Sequence, residues 1–537
     1  MGFLPQILIA VALLTAAQLG LVLGRVPALW GLAAVVVPHL LGHLNRRSML
    51  AGRFRRAALL ARLLGLWSVV GFGALVLATD WVPLLRQWSG ARLGPESWPE
   101  AVLILAFAPF ALLQVLCIDA ETRMNTRPGA DRAAARGLAL RMFLSTLAPL
   151  VVYLGVLSLV GSVPIARALV EEVDLYHALF LVLLLVGMSL GAPYLIANAW
   201  RTDPLGPGPA KEVLDSVAER ARFVCRDVRV WHTGNLVANA AIVGLGRRRL
   251  VLLSDALLHS LGPRELASVY GHEIGHAKCR HVNIFLAWSL GFFLAADLLA
   301  PADDLWGSVF LAGALGLWVL GFGWLSRRSE LEADLYSLNL LQDPEALSSA
   351  LGRVGERMRD RGGWRHFSAS VRMGFIARVA AEPGVGVRFK SRMRAIAWFG
   401  VGLLLVTAVL ELRQMVEVYA PQRTRVDLVL GRYPEAIRRA RDLDGEWAEL
   451  RSLAELASEL IQQGGVDDGR LERAFRGDLG RGERVRARGW AALLALRGSA
   501  PAADFLRLME LVDGGAGEGP EAQSLRAQLP PSWRVLR

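Results

Sequence analysis

Apolar runs long enough to cross a bilayer recur along the chain near residues 4–24, 26–44, 58–79, 101–118, 141–161, 177–199, 284–300, 305–325 and 395–412. Some are only about 16 to 18 residues long, and two pairs are separated by very short turns, so the pattern predicts about nine transmembrane helices. The first run has no charged leader and no small-residue cleavage site before a polar region, and is expected to be an anchor. Between the sixth and seventh runs the pattern changes. Pro204, Pro207 and Pro209 mark a polar entry, and 211–224 has helical spacing of apolar residues. Asp227-Val228-Arg229-Val230-Trp231, Asn239-Ala240-Ala241-Ile242-Val243-Gly244 and Arg249-Leu250-Val251-Leu252-Leu253 then read as strands of a small sheet. A helix is expected from Gly262-Pro263-Arg264-Glu265 through His276 toward His281, leading almost directly into the seventh run. Beyond residue 415 the chain is charged, rich in leucine and alanine, and broken by Gly464-Gly465 and by the 513–520 glycine run. Tyr433-Pro434-Glu435-Ala436-Ile437 and the stretch 453–460 suggest short helical pairs of the tetratricopeptide sort, without a convincing period.

Composition agrees with a lipid solvent, because 54% hydrophobic residues in a chain of 537 exceed what a soluble protein buries. The formal charge of +12 could suggest nucleic acid, but the arginines alternate between loops. Loops 45–62 (Arg46, Arg47, Arg53, Arg55, Arg56, Arg62) and 119–141 (Arg123, Arg127, Arg132, Arg136, Arg141) are basic. Loop 80–100 sets Asp80, Glu96 and Glu100 against Arg86 and Arg92, and loop 162–175 sets Glu171, Glu172 and Asp174 against Arg167. The positive-inside rule puts the arginine-rich loops in the cytoplasm, so the basic balance needs no nucleic-acid partner. Residues 200–281 are then cytoplasmic. Arg388, Lys390, Arg392 and Arg394 before the last run make 395–415 an outward crossing; were it buried or re-entrant, residues 416–537 would be cytoplasmic. Three scattered cysteines, Cys117, Cys225 and Cys279, form neither a disulfide framework nor a thiolate cluster.

The candidate chemistry sits in Tyr270-Gly271-His272-Glu273-Ile274-Gly275-His276. Histidines four apart share a helix face and can hold one zinc ion, and Glu273 between them can work on its water. A catalytic zinc needs a third protein ligand and an open position. Glu330 is the candidate: the intervening chain is two spans with a short Asp303-Asp304 turn outside, so the chain is expected to return to the same membrane face. Asp334, one turn later, can accept from a ligand histidine's other ring N–H. Alone, Glu330 and Asp334 would read as a polar helix start bridged to Arg327 and Arg328. Cys279 lies seven residues beyond His272, near the same helical face. His281 points about 140° from His276 around a continuous helix, which favours an interfacial or supporting role over ligation. His39 and His43 fall at the cytoplasmic end of the second run.

These residues resemble the membrane zinc metallopeptidases that include the CAAX prenyl proteases and the HtpX-like quality-control proteases, of gluzincin type. Four stretches carry the resemblance over roughly residues 210–380: Asn239-Ala240 with Gly244; His272 to His276; Ser326-Arg327-Arg328 through Glu330 to Asp334; and His366 followed by Arg372. His281 also matches the prenyl-protease branch. The resemblance implies that Asn239 and Ala240 pair with substrate backbone as an edge strand, and that His366 and Arg372 help hold the scissile carbonyl and the site geometry. The family usually has proline after the late histidine, where this chain has Phe367. Beside Trp364 and Phe367, His366 also reads as a packed or interfacial residue.

The expected fold class is therefore mainly α: a polytopic membrane protein with about six N-terminal transmembrane helices in 1–200, and a small α+β zincin-like metallopeptidase domain in 201–394 that includes the hairpin 284–325. A last transmembrane helix (395–415) and a helical accessory domain (416–537) complete the chain. The expected activity is zinc-dependent endopeptidase action on membrane or membrane-associated proteins, at the cytoplasmic side of the cytoplasmic membrane, with one zinc per chain. His272, His276 and Glu330 are the expected ligands, Glu273 the base, and Asp334 the support. A peptide or protein substrate, the bilayer and a protein docking on the C-terminal helices are the expected partners. The alternative is an inactive scaffold stapled by zinc that binds partners through those helices.

Overall fold

The structure, a computed structural model, describes residues 3–18, 26–93, 99–125, 131–244, 246–301, 304–357, 362–513 and 518–533. The loop residues Glu96, Arg127 and Asp303, the end of the first apolar run and the middle of the 513–520 glycine run lie outside them. The chain forms two compact units, one of Met1–Leu159 with Leu184–Val409, the other of Val160–Leu183 with Leu410–Arg537.

Among the described residues seven helices are long and apolar enough to cross a membrane: Phe54–Ala78, Val102–Met124, Arg132–Gly161, Asp174–Ala199, His281–Leu299, Val309–Leu341 and Pro383–Val429. A shorter apolar helix covers Leu4–Ala17. The difference from nine arises mainly at the second run. Its first residues bridge to Thr79 and form a 3-10 turn, and the helix is displaced to Leu32–Leu50, taking in Asn45, Arg46 and Arg47. On Asp174–Ala199 only 6% of the apolar window is buried, with Leu179, Val182, Leu183, Val186 and Leu190 exposed. A row of bare aliphatic side chains of that length suits hydrocarbon and not water. The protein is an integral membrane protein.

The small sheet has four strands in the order β1 (Thr202–Pro204), β2 (Asp227–Trp231), β4 (Leu250–Ser254), β3 (Ala240–Val243). The central β4 is buried throughout, as its unbroken apolar run demands; it pairs parallel with β2 and antiparallel with β3. β1, too short to alternate, was not visible in the sequence pattern. Among the described residues β3 is an edge strand, paired on one side only, with Ala240 opposite Leu253 and Val243 opposite Leu250.

The motif helix, Pro263–Lys278, starts where the sequence predicts. Pro263 takes the first turn, where a missing N–H costs nothing, and the Glu265 carboxylate accepts from the Gly262 backbone N–H at 2.9 Å. Its Leu266, Tyr270 and Ile274 face the sheet core with Val251, Leu253 and Leu257. The opposite face meets the return helix, Asp304–Leu341. Glycines set that approach: a Cβ on Gly275 would lie 3.0 Å from both Cα and O of Ala333, and one on Gly271 would lie 2.8 Å from Ser337 Oγ. Ser337 Oγ also donates to Ser268 O at 2.7 Å, tying the two helices together. Gly275→Val is expected to force them apart at a cost of about 1–3 kcal/mol from overpacking. The check is the thermal midpoint together with zinc content, both of which should fall, whereas Gly262→Ala, with only Glu265 Oε2 at 3.8 Å from its Cβ, should leave both near wild type.

In the second unit the helix Pro383–Val429 runs past the expected end at 415 and carries Pro421 inside it. Its last turns bind the Pro164–Glu172 helix and the start of the next one: Arg425 pairs with Glu172 at 3.3 Å, Gln422 Nε2 donates to Asp174 Oδ2 at 2.7 Å, and the Tyr419 and Tyr176 hydroxyls are 3.0 Å apart. Helices Tyr433–Ala440, Ala448–Gln462, Asp468–Arg481, Arg484–Leu496, Ala500–Asp513 and Pro520–Gln528 come after it. Their core gathers Leu471, Phe475, Trp490, Phe505 and Trp533, with Trp490 Nε1 donating to the buried Asp478 at 2.7 Å.

Candidate metal centre

Histidines four apart on the motif helix turn their Nε2 atoms to one point: those of His272 and His276 are 3.1 Å apart. The return helix brings the Glu330 carboxylate to the same point, Oε2 3.6 Å from His272 Nε2 and Oε1 3.6 Å from His276 Nε2. Ligands held tetrahedrally by zinc at 2.0–2.1 Å lie about 3.3 Å from one another. The three observed separations bracket that value, and two imidazoles with one carboxylate suit zinc, so the residues fit the group. The hairpin of His281–Leu299 and Asp304–Leu341 is what closes the 54-residue gap between His276 and Glu330.

Polar contacts behind these three side chains fix their orientation. His272 Nδ1 lies 2.8 Å from Asp334 Oδ1, so an N–H donated there leaves Nε2 free as a ligand. Asp334 is fully buried and also receives a two-pronged bond from Arg372, Nη2 at 2.6 Å and Nε at 2.8 Å. Arg372 Nη1 reaches Glu330 Oε2 at 3.3 Å. Arg372 thus stands behind the candidate centre with its fork turned to Asp334 and Glu330. His366 Nδ1 is 3.1 Å from Glu330 Oε1, and its side chain is 58% exposed. Its loop is pinned to the return helix, with Trp364 Nε1 donating to Val319 O at 2.8 Å and Arg327 donating to Trp364 O at 2.9 Å. Arg327 and Arg328 are therefore engaged with Trp364, Phe367 and Trp324 and do not bridge Glu330 or Asp334.

Burial pushes the His272 imidazole toward its neutral form, but Asp334 outweighs it and holds the pKa up to about 9. His276 goes the other way, well below the ordinary histidine value, through burial and the charge on His272. Burial raises the Glu273 carboxyl, the direction a base working near neutrality needs.

Asn239 and Ala240 lie at the start of β3, whose core face packs on the motif helix. Asn239 is exposed; its backbone exchanges bonds with Ser254, N to Oγ at 2.9 Å and O to N at 3.0 Å. The loop before it is held by Asp255 Oδ2, which accepts from the Thr233 and Gly234 backbone N–H groups at 3.0 and 2.9 Å.

Two residues that the sequence pattern undervalues stand at the other imidazole. The motif helix does not run on to His281: it ends at Lys278, and Arg280 adopts a left-handed conformation, φ 57°, before the next helix begins. That turn, which costs a non-glycine residue about 1–2 kcal/mol, folds His281 back to within 2.7 Å of His276 Nδ1. His281 is in turn 3.1 Å from Glu332. Cys279 lies with His281 and Glu332, outside the trio of His272, His276 and Glu330, and all three cysteines are free thiols.

Residues 209–391 match the model of peptidase family M48. Over that stretch the chain is similar to the peptidases of that family. It is 29% identical over 210 residues to "Protease HtpX homolog 1" of Sulfolobus acidocaldarius, covering 34% of this chain and 65% of that one. It is 33% identical over 130 residues to "Uncharacterized metalloprotease YhfN" of Bacillus subtilis (20% and 30%), and 26% identical over 178 residues to a "Protease HtpX homolog" of Bordetella petrii (28% and 60%). The chain thus spans less than two thirds of the length of these relatives. The crystal structure of S. mikatae Ste24p is similar with a TM-score of 0.34 and 15% identity, covering 66% of this chain and 99% of that one.

Proposed function

We propose that the protein is a membrane-embedded zinc endopeptidase of gluzincin type that hydrolyses peptide bonds of membrane or membrane-associated proteins. The observation that carries the reading is the convergence of His272 Nε2, His276 Nε2 and the Glu330 carboxylate within ligand distance of one another, with Glu273 on the same helix turn. When bound, one zinc per chain supplies a Lewis acid that makes water nucleophilic near neutral pH. Glu273 takes the proton from the attacking water and hands it to the leaving amine. His366, exposed beside Glu330, donates to the developing oxyanion, a contact of a kind worth about 3 kcal/mol. Arg372 and Asp334 hold His272 and Glu330 in place. The free edge of β3, led by Asn239 and Ala240, takes up an extended substrate by main-chain pairing.

The arginine-rich loops favour an active site on the cytoplasmic side of the cytoplasmic membrane. Both HtpX-like quality control and CAAX-prenyl-protease-like processing fit this chemistry. The C-terminal helices are a candidate surface for docking a partner or substrate.

The test is metal analysis of the purified full-length chain, coupled to cleavage of unfolded casein and of a prenylated peptide. About one zinc per chain is expected, with cleavage lost to a chelator and regained on adding zinc. Zinc at that stoichiometry with neither substrate cut, by wild type and Glu273→Ala alike, would establish the stapled scaffold instead.

A further inference from the structure

We infer that His281 and Glu332 form a hydrogen-bonded relay that orients His276 as a metal ligand, a positioning role. The inference rests on the zinc reading of His272, His276 and Glu330. His276 has one nitrogen in the candidate centre, Nε2, and one behind it, Nδ1; the latter lies 2.7 Å from His281 Nδ1. His281 Nε2 lies 3.1 Å from Glu332 Oε2. His281 is 1% exposed and Glu332 7%, so water is largely kept from both links.

Proton bookkeeping along this row admits one useful arrangement. The Glu332 carboxylate accepts, so His281 carries its proton on Nε2 and presents a lone pair at Nδ1. His276 then donates from Nδ1, which leaves its Nε2 without a proton and able to ligate. The reverse arrangement would put a proton on His276 Nε2 and block the site. The acceptor at the end of the row thus selects the tautomer of a ring two residues away in space. His272 reaches its carboxylate in a single step, Nδ1 to Asp334 at 2.8 Å with Arg372 Nη2 also 3.2 Å from that nitrogen, so both candidate ligand histidines end on a carboxylate of the return helix. The spacing explains the division. Glu330 and Asp334, four apart, share one helical face, whereas Glu332 between them points to another and meets the histidine beyond the break. The left-handed turn at Arg280 is what sends His281 there.

The same neighbourhood offers a rival use, because Cys279, His281 and Glu332 could themselves hold a metal ion. That use conflicts with the relay. A metal on His281 Nε2 moves the ring proton to Nδ1, where it would face the Nδ1 proton that His276 must carry to ligate.

The test uses the full-length chain in detergent and measures zinc stoichiometry, zinc affinity by chelator competition, and the thermal midpoint of the metal-free protein, for wild type, His281→Phe, Glu332→Ala, Glu332→Gln and Cys279→Ser. The expected result is one zinc in wild type, a 10- to 100-fold loss of affinity in His281→Phe and Glu332→Ala, a smaller loss in Glu332→Gln, whose amide oxygen still accepts, and no change in Cys279→Ser. Metal-free midpoints should stay close to wild type in at least the two Glu332 variants. Unchanged affinity in those variants overturns the relay alone, as does a loss that only accompanies a fall in the metal-free midpoint. A second zinc that disappears in Cys279→Ser also overturns it. A wild-type chain that binds no zinc overturns the peptidase reading and the relay with it.

Discussion

Glu273→Gln is expected to lower kcat/KM for casein about 10²- to 10⁴-fold while leaving one zinc per chain and an unchanged thermal midpoint. Glutamine keeps the volume and a carbonyl oxygen but cannot take a proton from water, so only the base function is removed. Glu273 is none of the three converging side chains that could hold the metal. Activity within a few-fold of wild type would remove Glu273 from the mechanism. Loss of zinc along with activity would mean that the carboxylate acts as a ligand or a structural prop.

Arg372→Ala is expected to have the largest effect on the architecture of the centre. The guanidinium reaches two carboxylates that the hairpin buries together, Asp334 by two bonds and Glu330 at 3.3 Å. Removing it leaves Asp334, with no exposed surface, to face His272 alone. Breaking such a buried pair by deleting one partner costs about 3–5 kcal/mol. Denaturant midpoint and zinc content should therefore fall together. Arg372→Lys keeps the charge but loses the planar fork, and should recover only part of the loss. If Arg372→Ala keeps full stability and zinc but raises KM, the side chain serves the substrate and not the ligands.

Sequence alone disclosed much of this centre, for physical reasons visible in particular residues. The pair His272 and His276 is local to one helix, so its geometry follows from 3.6 residues per turn. Glu330 and Asp334 were legible because two short spans and a tight turn leave a hairpin little freedom. For His281 a supporting role was legible but its contact with His276 was not, because a continuous helix would turn it away and the break at Cys279 and Arg280 carries neither glycine nor proline to announce it. The close approach at Gly275 is equally silent, since a glycine in a helix looks like a weakness until the backbone facing it is known. At the far end, Pro421 would ordinarily mark a helix boundary, yet the helix runs through it to Val429.

β3 offers amides and carbonyls on one side only, and these groups are the same whatever sequence is laid against them. A polypeptide already knitted into its own domain has no spare main-chain groups to give in return. Under the proposed activity, susceptibility would then be set by how often a victim's segment comes loose, so that cleavage rates across a set of destabilised variants of one target should rank with their opening equilibria and hardly at all with the residues flanking the cut.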